Sequence, residues 1–313
     1  NGQELAFDAE YENDGTNLIG KRLEDYEVLQ FLGKGSFGAV LKVRCISNNK
    51  VYALKKMNLE EMNEEERKYC ESEVKILKEM NNKYILKYFE SFNEGQTLYI
   101  ATEYVDNGDL NDVIKYNKIK KISLPEEEIW YYFMQCAECL KYLYSKDIIH
   151  RDIKPANIFL TEDKTIKVGD FGVSKLVVKK INKTAETVIN STIAGTPLYM
   201  CPEMMTKKKY GKRADIYSMG VTLYQLCFGQ PPYAPFPAKD EDGQPTFQYI
   251  RIQNKISTNY SKELLDIINQ MIELDPEKRI NANQLYDLVK KGYIKRCIQN
   301  SSIDAVIRCL SAY

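Results

Sequence analysis

Histidine and tryptophan occur once each in 313 residues, basic and acidic side chains cancel at 44 apiece, and no apolar run is long enough to span a bilayer. Each shortage closes a class of function. With one histidine, and Cys136-x-x-Cys139 lacking both a second cysteine pair and a neighbouring histidine, a structural zinc site is not expected there. The charge balance argues against broad electrostatic binding of nucleic acid, and the missing apolar span against a membrane protein. No secretory leader is visible, so the eight cysteines, at 45, 70, 136, 139, 201, 227, 297 and 309, are expected as reduced thiols of a cytoplasmic or nuclear protein. Residues 1–20 contain no lysine or arginine and five acids. With 21–25 they form an acidic N-terminal arm expected to be loose, with inhibition by that arm as the alternative. No internal repeat or low-complexity linker divides the rest, and an apolar content of 44% is enough for a large core.

What is present is concentrated around the single histidine. His150-Arg151-Asp152-Ile153-Lys154-Pro155-Ala156-Asn157 sets a carboxylate, an ammonium and an amide at fixed offsets, the pattern of a phosphotransferase catalytic loop. Asp152 can accept the proton of an incoming hydroxyl. Lys154 can lie along the migrating phosphoryl group, and Asn157 can give a neutral oxygen to magnesium. Eighteen residues after Asp152, Gly169-Asp170-Phe171-Gly172 supplies Asp170 as the carboxylate facing that ion, presented at the end of the short strand Ile166-Lys167-Val168. Asp-Phe-Gly alone would read as an ordinary turn.

Upstream, Leu32-Gly33-Lys34-Gly35-Ser36-Phe37-Gly38-Ala39-Val40 puts a glycine-rich turn between strand-like runs at 26–31 and 39–43. A dinucleotide fingerprint would open a helix after the last glycine. Here strand continues, which sets aside a nucleotide-dependent oxidoreductase. In Val51-Tyr52-Ala53-Leu54-Lys55 side chains alternate, so Ala53 leaves room for a flat ring on the face from which Lys55 reaches phosphates. The lysine needs a positioning carboxylate from the helical, acidic segment 60–80. Glu73, eighteen residues on, is the choice, with Glu71 as rival because helix phase is uncertain from sequence.

Taken in order, these motifs, closing with Cys201-Pro202-Glu203, resemble the eukaryotic protein kinases over residues 26–300. Lys154 and Gly195-Thr196-Pro197 resemble the serine/threonine branch. The run from His150 to Phe159, the glycine before Asp-Phe-Gly, and Ala194-Gly195-Thr196-Pro197-Leu198-Tyr199-Met200-Cys201-Pro202-Glu203 are similar to the NIMA-related (Nek) kinases, as is Glu103-Tyr104-Val105-Asp106-Asn107-Gly108-Asp109-Leu110. Cys201, Tyr217 and Thr102 depart from the usual residues at their positions, and none removes a catalytic atom.

The resemblance implies an α+β, two-lobed fold: an N-lobe (26–102) of antiparallel strands with one main helix, a hinge (103–108), a mainly helical C-lobe (109–300) and an extension (301–313). It implies ATP and Mg2+ as cofactors and protein serine/threonine substrates as partners. Nucleotide contacts would come from Leu32, Gly33, Gly35, Gly38, Val40, Ala53, Lys55, Glu73, Thr102, Glu103, Val105 and Phe159, and metal contacts from Asn157 and Asp170. A small Thr102 is expected to open a pocket behind the adenine. Arg151 implies an activation segment ordered by phosphate, on Thr192 with Ser191 as the alternative acceptor. Tyr88, fifteen residues past Glu73, is either an inhibitory tyrosine or a core aromatic. Glu203 is expected to pair with Arg279, and Asp215 to hold the backbone of the catalytic loop.

Around these motifs, Ser123-Leu124-Pro125-Glu126 reads as a capping box before a stripe at Ile129, Phe133, Ala137, Leu140 and Tyr144. Ile216, Met219, Leu223 and Leu226 form a second stripe ending near Gly229, and further helices are expected at 261–272 and 281–290. These stripes read as core. The basic cluster Lys207-Lys208-Lys209 with Lys212 and Arg213 reads as a solvated face. The alternative to an active enzyme is a pseudokinase scaffold, against which every catalytic position is filled.

Overall fold

The computed structural model describes residues 22–35, 38–60, 62–171, 175–176, 197–205, 210–239, 245–252 and 260–299. Two compact units emerge, one from the described part of residues 1–60 with 89–104, the other from 61–88 with the described part of 105–313. The chain passes between them at Glu60 to Glu61, Tyr88 to Phe89 and Tyr104 to Val105.

The first unit is a sheet. Strands β1 (Tyr26–Gly35), β2 (Gly38–Cys45), β3 (Val51–Asn58), β4 (Tyr88–Glu94) and β5 (Thr97–Glu103) lie in the order β1-β2-β3-β5-β4. Period-two alternation sends Tyr26, Val43, Cys45, Tyr52, Leu54, Tyr99 and Ala101 to one buried face, with Phe89 and Phe92 packed against it. The rings interlock, Tyr52 edge-on to Phe89 at 4.9 Å and Phe92 stacked on Tyr99 at 5.0 Å. Tyr26 closes this face with a hydroxyl that donates to Glu90. β1 and β2 are joined where Gly35 pairs with Gly38, and a Cβ at Gly38 would lie 1.8 Å from the Lys56 carbonyl oxygen. Only glycine lets β2 pass β3 there.

The second unit holds helices α1 (Glu64–Glu79), α2 (Leu110–Lys120), α3 (Glu126–Ser145), α4 (Pro202–Met205), α5 (Arg213–Phe228), α6 (Lys262–Met271) and α7 (Ala282–Gln299). It also holds the short strands β6 (Ile148–Ile149), β7 (Ile158–Leu160), β8 (Ile166–Val168) and β9 (Lys175–Leu176), paired as β6-β9 and β7-β8. Helix α1 groups with this unit, and the first unit adds only the short 3-10 turn Leu23–Asp25 to its strands among the described residues.

The stripe on α3 is buried at Ile129, Phe133, Ala137 and Leu140, while its last position passes from Tyr144 to Leu143. The expected cap does not form. Pro125 is the N-cap without a side-chain bond, and Glu126 instead accepts from Trp130 Nε1 at 2.9 Å, Arg296 Nη2 at 2.7 Å and the Ser261 amide at 2.6 Å. A carboxylate tying three helices outcompetes a local turn. Helix α5 is buried nearly all round rather than along one stripe, and Gly229 at φ 69° ends it. Ser261 caps α6 by accepting from Leu264, and α7 runs nine residues beyond the expected end at 290, to Gln299.

This mainly helical unit also carries a hairpin, β10 (Tyr233–Lys239) with β11 (Pro245–Arg251). One expectation about the cysteines is corrected. Cysteines 45, 70, 136, 139, 201 and 227 are free and buried, but Cys297 is disulfide-bonded, so the thiols are not all reduced. Among the described residues no helix is long and apolar enough to cross a membrane.

Candidate active site

The catalytic loop is held from below by one helix. Asp215, in the first turn of α5, accepts from the amides of His150 at 2.7 Å and Arg151 at 2.8 Å, as expected. Burial raises the Asp215 carboxyl above its usual range, against the pull of His150 and the two amides. The His150 ring is wholly buried against Phe171, with centroids 4.5 Å apart. Its Nδ1 accepts from the Asp152 amide at 3.3 Å, which leaves Nε2 as the donor to the Gly169 carbonyl at 3.0 Å. The single histidine therefore ties the loop carrying Asp152 to the turn carrying Asp170.

Above it, three candidate side chains converge. Asp152 Oδ2 accepts from Lys154 Nζ at 2.7 Å and from Asn157 Nδ2 at 3.0 Å, and that amide nitrogen also donates to the Asp152 carbonyl at 2.8 Å. Among the described residues Oδ1 takes no donor and stays open to an incoming hydroxyl. Because Asn157 spends its nitrogen on Asp152, its amide oxygen is turned away as a hard donor. Asp170 follows on left-handed backbone at φ 58°, as does Arg151 at φ 71°. Non-glycine residues rarely occupy that region, and here the loop geometry imposes it on both sides of the site.

Gly169 has a steric reason. A Cβ there would meet Leu86 Cδ1 at 2.5 Å and the Phe159 ring at 3.0 Å, so a side chain would displace the Asp170 turn. Its amide donates to the Asn157 carbonyl at 2.9 Å, fixing the two candidate metal ligands through one backbone link. An amide oxygen and a carboxylate suit magnesium, which keeps waters and phosphates for its other positions. No cluster of three or more His, Cys, Asp or Glu side chains suited to a metal occurs among the described residues.

The first unit carries its candidates on the sheet face opposite its core. Val40 pairs with Lys55 and Ala53 with Thr102, so Val40, Ala53, Lys55 and Thr102 share one half-buried face. Leu32, Gly33 and Gly35 lie in β1, Gly38 opens β2, and Glu103 ends β5 next to the hinge residue Val105. In the second unit Phe159 lies on β7, bridged to Asp109. Glu73 is 2% exposed on α1, whereas Glu71 is half-buried. Tyr88 is half-buried at the start of β4, with Lys78 Nζ 6.0 Å from its ring centroid. The Arg151 guanidinium lies over the Tyr210 ring at 5.5 Å, a neighbour that no local motif marks. Ser191, Thr192 and Lys207 to Lys209 fall outside the described residues.

Glu203 and Arg279 form the expected pair, Nη1 to Oε1 at 2.6 Å and Nη2 to Oε2 at 3.1 Å, both residues buried. The protein kinase domain family matches residues 26–289. At 34% identity over 268 residues, 84% of this chain and 62% of the relative, the chain is similar to the probable serine/threonine-protein kinase nek2 of Dictyostelium discoideum. At 34% over 273 residues, 85% and 59%, it is similar to the serine/threonine-protein kinase Nek2 of Homo sapiens. At 33% over 281 residues, 88% and 22%, it is similar to the serine/threonine-protein kinase Nek1 of Mus musculus. The chain thus spans between 22% and 62% of the length of these relatives. With the family match covering most of the sequence and the Asp152-Lys154-Asn157 cluster formed within it, the chain belongs to the protein kinase domain family.

Proposed function

We propose that this chain is a NIMA-related serine/threonine protein kinase that transfers the γ-phosphoryl group of ATP, with magnesium, to a hydroxyl of a protein substrate. The observation that carries the reading is the Asp152 carboxylate gripped on Oδ2 by Lys154 at 2.7 Å and Asn157 at 3.0 Å. Its free Oδ1 takes the hydroxyl proton as the substrate oxygen bonds to the γ-phosphorus. The bond from that phosphorus to the bridging oxygen breaks and ADP leaves. Lys154 offsets the charge spreading over the transferring group, and Lys55, with Glu73 as its proposed positioning carboxylate, holds the α- and β-phosphates. The backbone of Glu103 and Val105 is proposed to bind adenine, with Val40, Ala53 and Phe159 as the proposed apolar contacts to its ring. Asn157 and Asp170 would hold magnesium, which when bound neutralises the phosphate charge.

Phosphate on Thr192, with Ser191 as the alternative acceptor, is proposed to raise activity through Arg151, whose positive charge suits a phosphate. Tyr88 is proposed as an inhibitory side chain in the unphosphorylated enzyme. A scaffold without turnover is disfavoured because the sequence carries a residue of the right type at each position where the resemblance implies the lysine, the base and the metal ligands.

Asp152→Ala tests the assignment. Turnover is expected to fall at least 100-fold while nucleotide binding persists, since positioning and electrostatics supply the rate. Normal turnover in that variant would contradict the role given to Asp152.

A further inference from the structure

The β10–β11 hairpin lies outside every motif above, and its register makes its two edges unlike. Pro235 pairs with Tyr249, Pro237 with Phe247 and Lys239 with Pro245. Proline has no N–H, so each of these is a non-hydrogen-bonded pair, and alternation leaves Ala234, Phe236 and Ala238 to bond across to Ile250, Gln248 and Thr246. The bond from the Ile252 amide to the Pro232 carbonyl, at 2.9 Å, continues that alternation. Backbone groups at 233, 235, 237 and 239 therefore face out from β10, and those at 245, 247, 249 and 251 face out from β11. Two prolines interrupt the outer edge of β10 and close it to another strand. The outer edge of β11 keeps the N–H and C=O of Phe247, Tyr249 and Arg251 in sequence. Among the described residues no backbone hydrogen bond reaches those groups.

The open edge stands on the platform that holds the catalytic loop. Within two turns of α5, Asp215 grips the amides of His150 and Arg151, the Tyr217 ring meets Tyr249 edge-on at 6.4 Å, and Ser218 Oγ donates to the Tyr199 carbonyl at 2.7 Å. Tyr249 then donates its hydroxyl to the Met200 carbonyl at 2.8 Å, fixing β11 to the segment that follows the catalytic centre in the chain. The other face of the hairpin carries Phe236 and Ile250, exposed by 49% and 47%. Ile250 lies on β11 itself.

Resting on the kinase reading above, we infer that the outer edge of β11 docks the protein substrate by strand addition, outside its phosphoacceptor residue. N–H and C=O groups that no backbone bond reaches among the described residues recur here every second residue, about 6.8 Å apart, a spacing that matches another extended backbone. The occupant is thus an extended substrate segment whose alternate side chains, β-branched or aromatic, lie against Ile250. A second copy of the chain paired edge to edge is the outcome that competes with it.

Arg251→Pro removes one outward N–H and puts a ring on the edge while sparing the ladder to β10. Arg251→Ala removes the same side chain, with its contact to Tyr233 at 3.3 Å, and keeps the N–H. Each enzyme is assayed with degenerate Ser/Thr peptide libraries of about 7 and about 25 residues. Arg251→Pro is expected to raise KM for the long library about tenfold over Arg251→Ala, with the short-library rate and the KM for ATP unchanged. Equal KM values for the two variants on the long library would overturn strand addition and leave the kinase reading intact. No transfer by the wild-type enzyme to either library would overturn both. A wild-type dimer by light scattering that Arg251→Pro dissolves would assign the edge to a second copy instead.

Discussion

Replacing Arg279 with alanine is the most demanding test of how the second unit is held together. Its guanidinium makes five hydrogen bonds: two to the Glu203 carboxylate, and one each to the carbonyls of Glu273 at 2.8 Å, Arg213 at 3.0 Å and Leu274 at 3.3 Å. The side chain is fully enclosed and Glu203 is 5% exposed. Burial works against the arginine's charge, and the bonds to Glu203 outweigh it, so its pKa rises above the usual arginine range. Alanine would leave a buried carboxylate without its cation and three carbonyls without a donor, a loss of about 3–5 kcal/mol. For a unit of this size that corresponds to a fall in Tm on the order of 10 °C by scanning calorimetry. The double variant Glu203→Leu/Arg279→Leu removes both charges and is expected to recover part of the loss, short of wild type because the three carbonyls stay unsatisfied. A Tm within about 2 °C of wild type for Arg279→Ala would refute the reasoning, since no surface ion pair behaves otherwise.

Tyr217 is wholly buried, and its hydroxyl has no hydrogen-bond partner among the described residues. Tyr217→Phe is therefore expected to stabilise the protein by about 1 kcal/mol in urea denaturation, and a lower midpoint would reveal a partner for the hydroxyl. The Glu126 carboxyl is desolvated, yet the bonds from Ser261, Trp130 and Arg296 bring its pKa below the usual value of 4.5. Its stabilising effect is present above pH 4.5 and lost as pH falls through the lower folded value. Glu126→Gln should flatten that part of the acid denaturation curve, and an unchanged curve would contradict the network.

The catalytic cluster was legible in sequence because Asp152, Lys154 and Asn157 lie within one turn of chain, where spacing alone sets their relation. The sheet was legible because alternation at 51–57 reports its own two faces. Glu203 with Arg279 lies 76 residues apart and became readable only through the family resemblance. Other features depend on distant partners. Glu126 reads as half of a capping box until Ser261 and Arg296 are seen to claim it. No strand is expected from sequence at 233–251, and Pro235, Pro237 and Pro245 each fall where a strand has no inward N–H to give, a matter of register that sequence does not print.

The most direct test of the central claim is phosphoamino-acid analysis after incubating the wild-type protein with γ-labelled ATP and a degenerate peptide library, with and without magnesium. Label in phosphoserine and phosphothreonine, dependent on magnesium and abolished by Asp152→Ala, is the predicted result. Label in phosphotyrosine alone, or no label under any condition, would contradict it.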